Sequence, residues 1–258
     1  MADVRRVLVV GALGRMGEKV RAAVAEEATL SLGAALEAAG HPGLGATVED
    51  AVRVEDDAKA AFGSADVAID FSIPAATLAN LRVAADAGVA YVTGTTGFSD
   101  AERDEITAHS ARIPVLHAPN FSVAVNVLAW LTREAARRLG ANFDAEIVEL
   151  HHAAKRDAPS GTALRLGEAI AQGRGQKLSD HLVLERAGEI GARPDAAIGI
   201  HDNPGEHTVL FAGQGERLEL IHRSHTRDHF ARGAVRAAVW LLGRPPGLYR
   251  IEEAFGLD

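Results

Sequence analysis

The stretch Gly11-Ala12-Leu13-Gly14-Arg15-Met16-Gly17 stands between an apolar run, Val4–Val10, and a segment whose apolar residues recur at helical spacing. Glycines at such a junction permit a tight turn and a close approach of a pyrophosphate to the backbone, and the helix start supplies amide donors. The spacing is G-x-x-G-x-x-G, which differs from the common G-x-G-x-x-G. We interpret the junction as a dinucleotide-binding turn; the alternative is a glycine-rich connection without a ligand.

Strand-like and helix-like runs alternate through the first half of the chain. Short apolar runs over 30–36, 67–71, 90–93 and 113–116 follow the first strand, with helical patterns or turn residues between them. This βαβα order is typical of an open, doubly wound parallel sheet with helices on both faces, a Rossmann-like α/β domain. We predict that this dinucleotide-binding domain spans residues 1–121.

The pattern changes near Ser122. Val123–Leu139 indicates a long helix, and strand-like runs then dominate, interrupted by one helical segment near residues 161–171. We predict an α+β substrate domain with a mixed or antiparallel sheet over residues 122–228. The tail, residues 229–258, returns to a helical pattern.

Composition excludes several classes of chemistry. The 258 residues include no cysteine, which removes disulfides, cysteine-ligated zinc, iron–sulfur clusters and thiol catalysis. The 27 basic and 35 acidic residues give a net charge of −8, which disfavours nucleic acid or a membrane surface as a partner. The N-terminus shows no targeting pattern and no apolar run reaches about 18 residues, so we predict a cytoplasmic protein.

Glu37 strengthens the interpretation of a dinucleotide site. It ends the second predicted strand, about 20 residues after the last glycine of the turn, where a carboxylate accepts hydrogen bonds from a ribose diol. The carboxylate would repel a 2′-phosphate, and the next residue, Ala38, offers no compensating cation. We therefore hypothesise that NADH is preferred over NADPH. The alternative is a solvated surface glutamate.

Two loops should reach the carboxyl edge of the parallel sheet, where ligands bind. Gly94-Thr95-Thr96-Gly97 follows one predicted strand, and Ala118-Pro119-Asn120-Phe121 follows the last. Their hydroxyl, backbone and amide groups could hold a nicotinamide amide. Either loop could equally be an ordinary turn.

The segment 149–164 holds the largest group of side chains suited to catalysis and anion binding. His151 can transfer a proton near neutral pH, His152 follows it, and Lys155 adds a fixed positive charge. Ser160-Gly161-Thr162 then opens a helix, with the serine as N-cap and the next amides free to face an anion. The group suits an anionic substrate, most simply a carboxylate. Taken separately, the histidines could be structural and the serine a plain cap.

A metal site receives little support from the sequence. The histidines of the later segment, His222, His225 and His229, have a spacing that matches no familiar site, and arginines stand among them. We expect no metal.

Together these segments resemble the 4-hydroxy-tetrahydrodipicolinate (dihydrodipicolinate) reductase family of lysine and diaminopimelate biosynthesis. The matching pieces occur in family order over nearly the whole chain, and HHAAKRDAPSGT is the most specific. They are GALGRMG at 11–17, DFSIP at 70–74, GTTG at 94–97, APNFSVAVN at 118–126, ELHHAAKRDAPSGTAL at 149–164, GEHTVLFAG at 205–213 and FARGAVRAAVWL at 230–241.

The resemblance implies a mechanism and an assembly. NAD(P)H would give a hydride to a cyclic unsaturated dicarboxylate to yield tetrahydrodipicolinate, with His151 as proton donor or acceptor and Lys155 as second donor. A homotetramer built through the substrate-domain sheets is implied, as is a C-terminal tail that rejoins the first domain. The residues implied to hold the two carboxylates are His152, Ser160, Gly161, Thr162 and Arg227, and those for the dinucleotide are 11–16, Glu37, 94–96 and 118–121.

The sequence departs from the family pattern at three positions. Only Asp202-Asn203-Pro204 stands where the family has a longer loop, Ala124 replaces a usual glycine, and Ala38 stands where some members carry an arginine. The short loop motivates an alternative, a dinucleotide-binding regulatory protein without turnover. A related imine or amino-acid reductase is a second alternative, which the intact HHAAKRDAPSGT run disfavours.

Overall fold

The computed structural model describes residues 4–151, 158–183 and 205–257. The chain forms two compact units, Met1–Val123 with Asp228–Asp258, and Ala124–Arg227. In chain order the strands and helices are β1 (Arg5–Val10), α1 (Arg15–Ala25), β2 (Leu30–Leu36), β3 (Val54–Glu55), α2 (Ala58–Gly63), β4 (Val67–Asp70), α3 (Pro74–Ala87), β5 (Ala90–Thr93), α4 (Asp100–Ser110), β6 (Pro114–His117), α5 (Val123–Leu139), β7 (Asp144–Leu150), α6 (Gly161–Arg174), β8 (Glu206–Gly213), β9 (Glu216–Arg223), α7 (Asp228–Leu241), β10 (Gly247–Tyr249) and α8 (Ile251–Phe255).

The first unit contains a seven-stranded sheet in the order β10-β6-β5-β4-β1-β2-β3, in which every neighbouring pair is parallel. Strands β2 and β3 extend the sheet to one side of β1, whereas β4 to β6 and β10 extend it to the other. The predicted doubly wound parallel sheet is therefore confirmed. The strand order reverses between β1 and β4, and ligands of open α/β sheets bind at the carboxyl ends of strands at such a point.

Helices cover both faces of this sheet. One apolar cluster joins Val7 and Val9 to buried residues of α1, α7 and α8, and a second joins Leu8 and Val10 to α2, α3 and α4. Because both faces of β1 meet helices, the strand is a continuous apolar run rather than an alternating one. Helices α7 and α8 thus belong to the core of the first unit.

The second unit contains a three-stranded antiparallel sheet in the order β7-β8-β9, which confirms the predicted α+β class. Apolar residues of α5 and α6, among them Leu128 and Leu166, pack with Val209 and Phe211 on one face. The functional roles predicted for the two units remain predictions. Within the described ranges, no helix is both long enough and apolar enough to cross a bilayer.

Candidate functional site

The turn between β1 and α1 has the geometry of an anion-accepting helix start. Gly11 has a φ of +67°, which disfavours a side chain, and its carbonyl accepts a hydrogen bond from the amide of Gly14 at 3.0 Å. A Cβ at Gly17 would come within 2.1 Å of the Gly11 carbonyl oxygen. Arg15 is exposed on the first turn of α1, and Met16 beside it is half-buried. The glycines therefore let α1 begin directly against the turn, as it does in turns that bind a pyrophosphate at a helix N-terminus.

Two charged side chains brace this turn. The carboxylate of Glu37 accepts a hydrogen bond from the amide of Leu13 at 3.0 Å, so the structure places it beside the turn. Arg21, which is 7% exposed, donates from Nε to the carbonyl of Ala12 at 2.9 Å. Sequence alone gives Arg21 no such role, because an arginine within an amphipathic helix ordinarily faces solvent.

The loop Gly94–Gly97 follows β5 at the carboxyl edge of the sheet. Thr95 is buried, and its hydroxyl accepts a hydrogen bond from that of Thr77 at 2.8 Å. His117 Nε2 lies 3.1 Å from the carbonyl oxygen of Thr95, and burial lowers the pKa of that imidazole. Thr96 is exposed. The buried threonine shapes the loop, and the exposed one is available to a ligand.

The loop Ala118–Phe121 follows β6 at the same edge. Ala118 and Phe121 are buried, Asn120 accepts a hydrogen bond from the amide of Ser122 at 2.8 Å, and Pro119 is exposed. The structure thus brings both predicted loops to the edge where the turn after β1 lies. Their assignment to a dinucleotide remains a prediction.

A buried acid beneath these loops received no role from the sequence. Asp70 ends β4 with no solvent exposure, and it accepts hydrogen bonds from the hydroxyl of Tyr91 at 2.7 Å and from the amide of Ser72 at 2.8 Å. Burial raises the pKa of Asp70, and burial together with the adjacent acid raises the pKa of Tyr91. The sequence does contain one signal for this residue, which is an acid at the end of an apolar, strand-like run.

In the second unit, His151 follows β7 directly and is buried against Glu149 and His207. Nε2 of His151 lies 3.0 Å from Oε2 of Glu149, and Nε2 of His207 lies 3.4 Å from the same oxygen. The two imidazole rings meet edge to face, with centroids 5.1 Å apart. Neither Glu149 nor His207 was assigned a role from the sequence, because the contact depends on the register of two strands.

Glu149 is an anion in this setting. Burial by itself would raise the pKa of Glu149, but hydrogen bonds from two imidazoles and from Ser160 outweigh it and hold that pKa well below its usual range. A fixed negative charge therefore stands beside the predicted proton donor, His151. Such a charge favours the protonated form of a neighbouring imidazole.

Ser160 is the N-cap of α6, as the sequence indicates. Its hydroxyl accepts a hydrogen bond from the amide of Ala163 at 3.0 Å and lies 3.2 Å from Nε2 of His207. Gly161 is exposed, and a Cβ built on it would meet no described residue within 4 Å, while Thr162 is half-buried. As far as the described residues go, the helix start is open on the side of Gly161.

Of the remaining predicted site residues, the structure describes only Arg227. Arg227 is exposed at the last position of the second unit, directly before α7. His152, Lys155 and the short loop at 202–204 lie outside the described residues.

One cluster has a spacing that a divalent cation could bridge. The ligand atoms of Glu149, His151 and His207 lie within 4.8 Å of one another. Both imidazole Nε2 atoms, however, stand at hydrogen-bond distance from a single carboxylate oxygen, as donors to an anion do. The expectation that the protein has no metal site remains a prediction.

Comparison with known proteins identifies relatives of the whole chain. Residues 5–121 match the family model for the N-terminus of dihydrodipicolinate reductase, and residues 124–255 match the model for its C-terminus. Proteins named 4-hydroxy-tetrahydrodipicolinate reductase from Anaeromyxobacter dehalogenans and Desulfotalea psychrophila are 45% and 46% identical to it. Each alignment covers 98% of this chain and 98% of the relative.

A solved structure supports the same grouping. The dipicolinate-bound dihydrodipicolinate reductase from Paenisporosarcina sp. TG-14 matches with a TM-score of 0.76 and 25% identity. The match covers 97% of this chain and 98% of that one. The chain therefore belongs to the dihydrodipicolinate reductase family.

Proposed function

We propose that the protein is a 4-hydroxy-tetrahydrodipicolinate reductase, which uses NAD(P)H to reduce a cyclic unsaturated dicarboxylate to tetrahydrodipicolinate. The observation that carries this proposal is the 45–46% identity to reductases of that name over 98% of both chains. An enzyme of lysine and diaminopimelate biosynthesis acts on small soluble metabolites, so we also propose that it works in the cytoplasm.

The dinucleotide is proposed to bind at the carboxyl edge of the parallel sheet. The turn after β1 suits a pyrophosphate, because Gly11 adopts a positive φ and Gly17 lets α1 begin directly against the turn. A nicotinamide nucleotide bound there supplies the hydride. The residues proposed to hold it are Gly11, Ala12, Leu13, Gly14, Arg15, Met16, Glu37, Gly94, Thr95, Thr96, Ala118, Pro119, Asn120 and Phe121.

The second unit is proposed to bind and protonate the dicarboxylate. His151 supplies the proton, because it is a buried imidazole held beside an anion, and Lys155 is the second donor. The amides at the start of α6 face a carboxylate with the positive end of the helix dipole. The residues proposed to hold the carboxylates are His152, Ser160, Gly161, Thr162 and Arg227.

Turnover of the family substrate tests the proposed activity. The unstable substrate is generated in the cuvette by a coupled synthase from pyruvate and aspartate semialdehyde, and loss of NADH or NADPH absorbance is followed. We expect kcat above about 1 s⁻¹, the low end for ordinary enzymes. Nucleotide binding without turnover would favour the regulatory alternative. Turnover confined to other imines would favour the related reductase.

Nucleotide preference is proposed to depend on Glu37. Glu37→Ala should weaken NADH binding about five- to tenfold, because a charged acceptor of ribose hydrogen bonds is lost. NADPH affinity should stay constant or improve, because a charge that repels the 2′-phosphate is removed. Isothermal titration with both nucleotides measures the two dissociation constants, with Asp104→Ala, an exposed acid of α4, as control. Equal losses for both nucleotides would show that Glu37 acts only by bracing the turn.

A homotetramer is proposed to form through the open face of the β7-β8-β9 sheet. Val148 and Ile221 oppose Thr208 from either side on this face and are 47% and 44% exposed. We expect light scattering to give about four times the chain mass of 27.1 kDa. Ile221→Lys should reduce that mass, because a charge cannot be buried unpaired in an interface. Leu248→Lys, at a residue 45% exposed in the first unit, is the control, and equal behaviour of both variants would contradict this surface.

A further inference from the structure

Glu149 occupies an unusual position for a glutamate. It lies on the inward face of β7, with its side chain 18% exposed, while its strand neighbours Glu146 and Val148 are exposed. Its partner across the antiparallel ladder is His207 of β8. Within the described part of the chain, no lysine or arginine forms an ion pair with it. A half-buried carboxylate in such a place requires other hydrogen-bond donors.

Those donors come from three separate elements. Oε2 lies 3.0 Å from Nε2 of His151 and 3.4 Å from Nε2 of His207. Oε1 accepts a hydrogen bond from the amide of Ser160 at 2.9 Å. The hydroxyl of Ser160 closes the network through its 3.2 Å contact with His207. One carboxylate therefore joins the end of β7, the start of β8 and the N-cap residue of α6.

The tautomer of His207 follows from its surroundings. Its Nδ1 is buried and meets no hydrogen-bond partner among the residues that the structure describes. A buried N–H without an acceptor is costly, so the proton belongs on Nε2, where the carboxylate and the serine hydroxyl accept it. His207 thus acts as a donor that secures Glu149.

On its other side, the His151 ring packs closely against the backbone of Gly205. A Cβ at Gly205 would come within 2.7 Å of Cε1 and 3.0 Å of Nδ1 of that ring. Glycine at 205 therefore lets the ring keep the orientation in which Nε2 faces the carboxylate. The ring is held by hydrogen bonding on one side and by packing on the other.

We propose that Glu149 is the positioning residue for proton transfer by His151, because its carboxylate orients that ring and ties it to the helix cap proposed to hold the substrate. This inference rests on the proposed function. Glu149 does not touch the reacting atoms; it stabilises the charged imidazole and fixes the orientation of the ring through Nε2. Among the described residues, the titratable groups that face His151 are Glu149 from β7 and His207 from β8, and His222 of β9 lies behind His207.

The pH dependence of kcat/KM in Glu149→Gln tests the proposal. Without the anion, His151 loses its proton at lower pH, so the alkaline limb should move down by about one to two pH units. At pH 8, kcat should fall about 10- to 100-fold and recover in part at pH 6, while the dissociation constant for NADH stays within twofold. Glu168→Gln, an exposed glutamate of α6, is the matched control and should match the wild type.

If Glu149→Gln destabilises the fold, a second variant that keeps the negative charge still tests the proposal. Glu149→Asp retains the charge at shorter reach, so its alkaline limb should stay within about half a unit of the wild type while kcat falls severalfold. An unmoved limb in Glu149→Gln, or wild-type kcat in Glu149→Asp, would overturn the proposal. A wild-type enzyme without turnover would instead refute the proposed function, which these variants do not test.

Discussion

Replacing His151 by alanine is expected to lower kcat about 10²- to 10⁴-fold, the range for loss of a general acid. The imidazole is buried beside the Glu149 carboxylate. Of the two described imidazoles that contact this carboxylate, His151 is the one at the end of β7. NADH affinity should stay within twofold, because the proposed nucleotide residues belong to the other unit. Stopped-flow or steady-state kinetics with the synthase-coupled substrate measures the effect.

The fold should survive this substitution. Glu149 keeps its hydrogen bonds from Ser160 and His207, so the carboxylate is not left unpaired. His181→Ala removes an exposed histidine of the same unit and is the matched control. A wild-type kcat in His151→Ala, with a folded protein, would show that His151 does not supply the proton.

Gly17→Ala is expected to weaken NADH binding at least tenfold and to lower the melting temperature. The new Cβ would stand 2.1 Å from the Gly11 carbonyl oxygen and 2.8 Å from the carbonyl carbon of Ala12, both backbone atoms. Because backbone cannot swing aside, α1 must move away from the turn and carry its amides with it. Overpacking of this kind costs about 1–3 kcal/mol, or a melting temperature lower by about 2–10 °C.

Isothermal titration with NADH and a thermal melt together measure this effect. Gly63→Ala is the matched control, since a Cβ at the end of α2 would meet no atom of the described residues within 4 Å and the backbone there does not require glycine. If Gly17→Ala bound NADH as tightly as Gly63→Ala, the turn after β1 would not be the pyrophosphate site.

The parallel sheet was largely predictable because its signals are local. The apolar run of β1 and the glycine turn each lie within a few residues, and each formed as predicted. Strands β3 and β10 were not predicted, because runs of two and three residues carry too little pattern and depend on pairing with β2 and β6.

The same difference between local and long-range signals applies to the residues of the candidate sites. The cap at Ser160 and the location of Glu37 beside the turn depend on nearby residues and could be anticipated. The contact of Glu149 with His207 depends on the register of β7 against β8, which no short pattern encodes. Likewise, Arg21 is buried with partners from outside its helix, the carbonyl of Ala12 and the carboxylate of Glu49. The features that could not be predicted are therefore those that depend on contacts with residues outside the local segment.

Transfer of deuterium from NADH to the product tests the central claim most directly. The enzyme is supplied with synthase-generated substrate and NADH carrying deuterium at both C4 positions, and the product is analysed by mass spectrometry. A hydride reductase must place one of those atoms on carbon, so tetrahydrodipicolinate should be one mass unit heavier than the product made with unlabelled NADH. Product of unlabelled mass, or consumption of NADH without tetrahydrodipicolinate, would contradict the assignment of this protein as a 4-hydroxy-tetrahydrodipicolinate reductase.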